Sequence, residues 1–150
     1  MISLELLRRF PYFAGLSVDQ LVTMAKTAKE ETAPEGHFFF HEGDHLNNIY
    51  IVLEGEVAVL IELPAKDREI IVSTVGPGHV FSWSGLVSPF QSSAAAKSVS
   101  ACRVLAFDCE QMRKSFEEDC QLGYLMMQWL AQVMRDRIRD ARIETLACMM

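Results

Sequence analysis

The chain has 150 residues, 50% hydrophobic and 23% charged, and a net charge of −6 at pH 7. A domain of this size buries roughly 68–70% of its unfolded surface, so neither a disulfide framework nor a metal is needed to fold it. The acidic balance argues against nucleic acid as the partner of this chain and gives no attraction to an anionic membrane, and its longest apolar runs fall far short of the roughly 20 residues that span a bilayer.

Met1-Ile2-Ser3-Leu4-Glu5 carries an early acid and reads as a helix, not a signal peptide. Leu4, Leu7 and Phe10 repeat at helical spacing until Pro11 stops the helix. Ser17 and Gln20 form an S-x-x-Q capping box that opens a second helix through Leu21, Met24, Ala25 and Ala28. Pro34-Glu35-Gly36, Glu42-Gly43-Asp44, Glu54-Gly55-Glu56 and Gly76-Pro77-Gly78 then punctuate runs rich in β-branched and aromatic residues. Strands are predicted at His37–His41, Ile49–Leu53, Val57–Leu63 and Ile70–Val75, with a longer turn at Pro64-Ala65-Lys66-Asp67. A helical turn is expected at Phe81–Val87, a loop at Ser88–Ser93, and two more strands at Ala94–Ser100 and Arg103–Phe107. Asp108, with Gln111 three residues on, caps a helix, and a long helix runs from about Cys120 to the end. Two short helices, about eight short strands and two further helices make an α+β chain whose strands close a sandwich or barrel-like roll. The expectation is a single domain, 1–150, with its roll at about 28–107 and C-terminal helices at about 109–148.

The stretch Gly78-His79-Val80-Phe81-Ser82-Trp83-Ser84-Gly85-Leu86-Val87 carries the candidate binding chemistry. A helix start offers free N–H groups to an anion, and Ser82, Ser84 and Gly85 let a ligand approach the backbone. No acidic or basic side chain occurs between Phe81 and Ala96, so this loop offers its ligand no ion pair. Backbone amides of Ser84 and Gly85 and the hydroxyls of Ser82, Ser84, Ser92 and Ser93 are the donors left, and Trp83 supplies a face on which a base could stack.

Other clusters carry little. His37, His41 and His45 lie four apart, but on a strand that places them roughly 13 Å from one another, too far for one ion with bonds of about 2 Å. Phe38 and Phe40 are therefore expected on the core face, with His37 and His41 toward solvent. Cys102, Cys109, Cys120 and Cys148 show no C-x-x-C spacing and read as reduced core or helix-face residues in the cytoplasm. No Ser–His–acid set and no phosphate loop with lysine is present, so neither a catalytic residue nor a metal ligand is assigned.

In order, these pieces resemble the cyclic-nucleotide-binding domain of the catabolite-activator and FNR class, over essentially the whole chain. Phe10-Pro11-Tyr12-Phe13-Ala14-Gly15-Leu16-Ser17 is similar to that family's opening segment. Glu42-Gly43-Asp44 with Tyr50–Val57 is similar to its central hairpin, and Gly78-x-x-Phe81 with the helical turn after it to its phosphate-binding cassette. Ser100–Asp108 resembles the strand leaving the cassette, and the last helix resembles the dimer helix. The resemblance implies a double-stranded β-helix, a jelly-roll-like β-roll, with short N-terminal helices and a long C-terminal dimerisation helix. It also implies a regulatory small-molecule sensor, not an enzyme. Yet the cassette glutamate that holds the ribose falls on Trp83, and the arginine that holds the cyclic phosphate falls on Ser92, beside Gln91. Ser82 stands where glycine is usual. Charge-assisted bonds to phosphate contribute roughly 1.5–3 kcal/mol each, so weak or no cAMP binding is expected. The ligand is left open between a cyclic nucleotide and another small anion, with Gly78, Phe81, Ser82, Trp83, Ser84, Gly85, Leu86, Ser92 and Ser93 as its contacts.

On the long helix, Cys120, Tyr124, Met127, Ala131, Met134, Ile138, Ala141, Thr145 and Cys148 step by four and three, a heptad seam. A second stripe, Leu122, Met126, Trp129 and Val133, occupies another face. The second stripe is assigned to the roll. Tyr124, Met127, Ala131, Met134, Ile138 and Ala141 are assigned to a twin helix in a homodimer. Arg135, Arg137, Arg139 and Arg142, interleaved with Asp136, Asp140 and Glu144, read as a solvated face. In ligand-binding members of the family the purine touches this helix, which falls near Ala141 and Arg142 here, so Arg142, of the same chain or of the other subunit, is the candidate replacement for the missing cassette arginine. The sequence given stops at Met150, before any helix-turn-helix, and the expectation is a stand-alone sensor. The alternatives are a ligand-free dimeric adaptor and the sensor part of a transcription regulator.

Overall fold

The computed structural model describes residues 1–63, 65 and 67–150, so Pro64 and Lys66 of the expected long turn lie outside the described residues. The chain opens with α1 (Leu4–Arg8), a 3-10 turn at Pro11–Phe13 and α2 (Val18–Lys26). Both halves of the capping box form: Gln20 N–H donates to Ser17 Oγ at 3.2 Å and Ser17 N–H to Gln20 Oε1 at 2.9 Å.

The strands are β1 (Ala28–Ala33), β2 (Phe38–Phe40), β3 (Asn48–Glu54), β4 (Val57–Leu63), β5 (Arg68–Val75), β6 (Val80–Phe81), β7 (Ala95–Ser98) and β8 (Cys102–Asp108). They form two antiparallel four-stranded sheets among the described residues, ordered β1-β8-β3-β6 and β2-β7-β4-β5. Chain-distant strands lie side by side, as a jelly-roll-like double-stranded roll requires. After it come α3 (Cys109–Glu118) and α4 (Cys120–Met149). Asp108 caps α3, accepting from Gln111 N–H at 2.9 Å, and Asp119 caps α4, accepting from Leu122 N–H at 3.1 Å.

Two strands were not legible in the sequence. β1 reads Ala-Lys-Glu-Glu-Thr-Ala, poor in the β-branched and aromatic residues that signal a strand. It is an edge strand whose charges face water, and Glu30 pairs there with Arg103 of β8. β6 is only two residues long. The expected alternation at Phe38–Phe40 also needs correcting. A register shift between Phe38 and Phe40 lets Phe39 and Phe40 both pack inward, while Phe38 sits half-buried on a smaller cluster under the stacked ring of His41.

Two cores share the first sheet. Tyr50, Val52, Phe81, Val104 and Ala106 fill the space between the sheets, whereas Ile49, Ile51, Leu105 and Phe107, on the opposite face, meet the helices. The helical side contributes Leu7, Phe13, Leu21, Met24, Met112, Leu122, Met126 and Trp129. Trp129 is its aromatic centre, with the ring of Tyr12 at 4.6 Å and that of Phe13 at 6.0 Å. The Leu122, Met126, Trp129, Val133 stripe thus lies where the helical period placed it, against the body of its own chain.

Candidate functional site

β6 delivers the chain to the candidate loop. Phe81 stacks on Tyr50, centroids 4.8 Å apart and planes 12° apart, which fixes the loop's starting point in the inter-sheet core. Ser82 then takes a left-handed conformation, φ 70° and ψ 23°, in a position that favours glycine. Its hydroxyl donates to the Asn48 carbonyl at 2.6 Å. A 3-10 turn, Trp83–Leu86, follows. Gly85 must be small: a Cβ there would lie 2.7 Å from Cys109 Sγ and 3.2 Å from Leu46 Cβ. Arg113 holds the turn from behind, donating to the Gly85 carbonyl at 2.7 Å while its guanidinium lies 4.1 Å from the Phe90 ring centroid.

In front of this turn lies a cavity of about 570 Å³, within the range of small-molecule sites. Phe40, Leu46, Val59 and Phe81 give it apolar walls. Ser73, Thr74, Ser82, Ser84, Ser92 and Ser93 supply hydroxyls, and Trp83 lies at its side. The remaining wall is α4, through Arg137, Asp140, Ala141, Ile143 and Glu144.

Of the ten expected ligand contacts, Phe81, Ser82, Trp83, Ser84, Ser92 and Ser93 line this cavity. The other four lie elsewhere. Gly78, at φ 83°, shapes the preceding turn, donates to the Val52 carbonyl at 2.8 Å and accepts from the Tyr12 hydroxyl at 2.6 Å. Gly85 and Leu86 are buried against the helical core. Arg142 is exposed. It stands five residues from Arg137, about 140° further round the helix, and so faces away from its own cavity.

The expected donors are also fewer than the sequence suggested. Gly85 N–H already donates to the Ser82 carbonyl at 3.1 Å. Ser82 and Ser92 hydroxyls are engaged by the Asn48 and Ala94 carbonyls. Ser84 and Ser93 hydroxyls have no hydrogen-bond partner among the described residues.

Arg137, Asp140 and Glu144, read in the sequence as part of a solvated face, instead supply the cavity's charge. Arg137 Nη1 donates to Ser73 Oγ at 3.3 Å and Nη2 to the Val80 carbonyl at 3.0 Å. A signal for this was present: the roll-facing stripe Leu122, Met126, Trp129, Val133 continues in the same steps to Arg137, Asp140 and Glu144. It changes from apolar to charged where the helix leaves the core and passes the cavity.

Along the expected seam, Tyr124 (66% exposed), Met127, Ala131 and Ile138 (50% exposed) face solvent. Met134 is half-buried against the helical core, and Ala141 lines the cavity. Those two positions therefore depart from a pure helix-pairing role, because α4 meets the helical-side core and then the cavity over a wider arc than one stripe. Among the described residues no group of three or more His, Cys, Asp or Glu could hold a metal ion, and no helix is long and apolar enough to cross a membrane.

The family described as cyclic nucleotide-binding domain matches residues 30–119. The CRP-like cAMP-activated global transcriptional regulator of Mycobacterium tuberculosis is 23% identical over 131 residues, which cover 87% of this chain and 58% of that regulator. The chain thus spans little more than half the length of that curated relative. A crystal structure of a putative cyclic nucleotide-binding protein from Geobacter metallireducens superposes with a TM-score of 0.83 at 29% identity, covering 92% of this chain and 99% of that one. The Thermus thermophilus catabolite activator protein shares the fold, with a TM-score of 0.71 at 24% identity over 93% of this chain and 63% of its own. With more than half of its length inside the family's match, and a two-sheet roll closed by helices, the chain belongs to the cyclic nucleotide-binding domain family.

Proposed function

We propose that residues 1–150 form one cytoplasmic, non-enzymatic sensor unit. It binds a small anionic or nucleotide-like ligand in the 570 Å³ cavity and passes the signal through α4, paired with α4 of a second copy. The observation that carries this reading is the double role of α4. One face closes the cavity through Arg137, Asp140 and Ala141, while Tyr124, Met127 and Ile138 remain apolar and exposed on another. A ligand that changes the packing of α4 on the roll would shift the population of two helix arrangements. cAMP itself should bind weakly or not at all, since Trp83 and Ser92 stand where the family resemblance puts the ribose-binding acid and the phosphate-binding arginine.

A thermal-shift screen with cyclic mono- and dinucleotides, haem and common phosphorylated metabolites tests this reading. A ligand at a hundred times its dissociation constant adds about 2.7 kcal/mol, which raises the melting temperature by several degrees. A flat screen would favour the second reading, a ligand-free dimeric adaptor. That reading is supported by a cassette loop without a single charged side chain from Phe81 to Ala96.

A further inference from the structure

We propose that Arg137 takes the anionic group of the ligand, and that to do so it leaves the Val80 carbonyl and the Ser73 hydroxyl to which it donates in this structure. This deepens the sensor reading above and rests on it. Among the described residues Arg137 is the one cation in the cavity wall. Its guanidinium carries five N–H donors, and two of its nitrogens donate to neutral oxygens, at 3.3 Å and 3.0 Å. Both present bonds already have a charged donor, but neither oxygen carries a countercharge; an anion adds the Coulomb attraction they lack and can take two parallel N–H bonds at once, so it competes with both. The planar fork matches two phosphoryl oxygens, and the free hydroxyls of Ser84 and Ser93 line the same space.

Asp140 and Glu144, three and seven residues on, present carboxylates along the same wall. They oppose a polyanion, so the group accepted is a phosphoryl carrying a single negative charge. The bonds given up matter as much as the one gained. Val80 lies in β6 and Ser73 in β5, and Arg137 ties both to α4. Moving the guanidinium to a ligand loosens the helix from the roll in the same step that recognises the anion.

The test follows the Arg137 Nε–H resonance in the isotopically labelled full chain, assigned by its loss in Arg137→Lys. Inorganic phosphate is titrated at pH 6, where it is mostly a monoanion, against chloride at matched ionic strength. Phosphate is expected to shift the Arg137 resonance saturably while chloride and the Arg142 resonance show no such response. Arg137→Gln should weaken phosphate binding on the order of tenfold to a hundredfold, Arg142→Ala should leave it unchanged, and Asp140→Asn should tighten it. An Arg137 resonance unmoved by phosphate, cAMP and cGMP overturns the proposal, whatever the fate of the variants' folding. Cyclic nucleotides that raise the melting temperature equally in the parent and Arg137→Gln would keep the sensor reading and sink this one. Saturable phosphate binding at Arg137 with no nucleotide response would keep Arg137 and sink the nucleotide reading.

Discussion

Gly85 shows how one side chain's absence positions a site. The loop can sit on the start of α3 only because nothing extends from that Cα toward Cys109 Sγ. Gly85→Ala should overpack this contact and lower stability by about 1–3 kcal/mol, read as a lower urea midpoint with the same slope. Adding Cys109→Ala should recover part of the loss, because the opposing sulfur is gone. Additive losses would place the strain elsewhere. The same burial pushes the Cys109 thiol up to about 12, chiefly by desolvation, with Arg113 pulling it down and Asp108 pushing it up. The sign follows from linkage: below about pH 9 both states hold the proton and the contribution is complete. Between about 9 and 12 the unfolded thiol ionises while the folded one does not, so stability falls by up to about 1.4 kcal/mol per pH unit. Urea midpoints at pH 8, 9 and 10 should therefore drop faster in the parent than in Cys109→Ala, and parallel declines would refute the assignment. Neither the close approach nor the burial could be read from a lone Cys109 and a lone Gly85, since both depend on where α3 comes to rest.

At the scale of the element, α4 was legible in its period and misread in its chemistry. Its apolar stripe and its exposed seam were both visible as steps of three and four, because helical spacing alone decides which residues share a face. What spacing could not say is how far the roll extends beneath the helix. Met134 and Ala141 belong to the seam by period, yet one leans on the core and the other on the cavity. The variant that tests helix pairing must therefore avoid both. Ile138→Asp places a charge on an exposed seam position and should convert a sedimenting dimer to a monomer with little change in melting of the roll. A parent that already sediments as a monomer would remove the pairing from the proposal.

In the whole molecule, the glycine-marked turns, the runs of β-branched residues, the Ser17–Gln20 capping box and the Asp108 cap carried enough local information to give the α+β class, the order of elements and the family. Each is a property of a few adjacent residues and needs no partner to be recognised. β1 escaped because an edge strand is stabilised by its neighbour β8, so its own residues need not look like a strand. The cavity escaped for the same reason at longer range. It joins residues from β2, β4, β5, the 3-10 turn, the Ser92–Ser93 loop and α4, and among the described residues its one cation comes from α4, far along the chain from the loop that the sequence singled out. By itself the sequence determined the helices and every strand but β1 and β6, which helix faces are apolar, and that the cassette loop carries no charge. Only the tertiary structure decided that Arg137 and not Arg142 faces the cavity, because the rotation of a helix about its axis is fixed by the surface it packs against and not by its own order of residues.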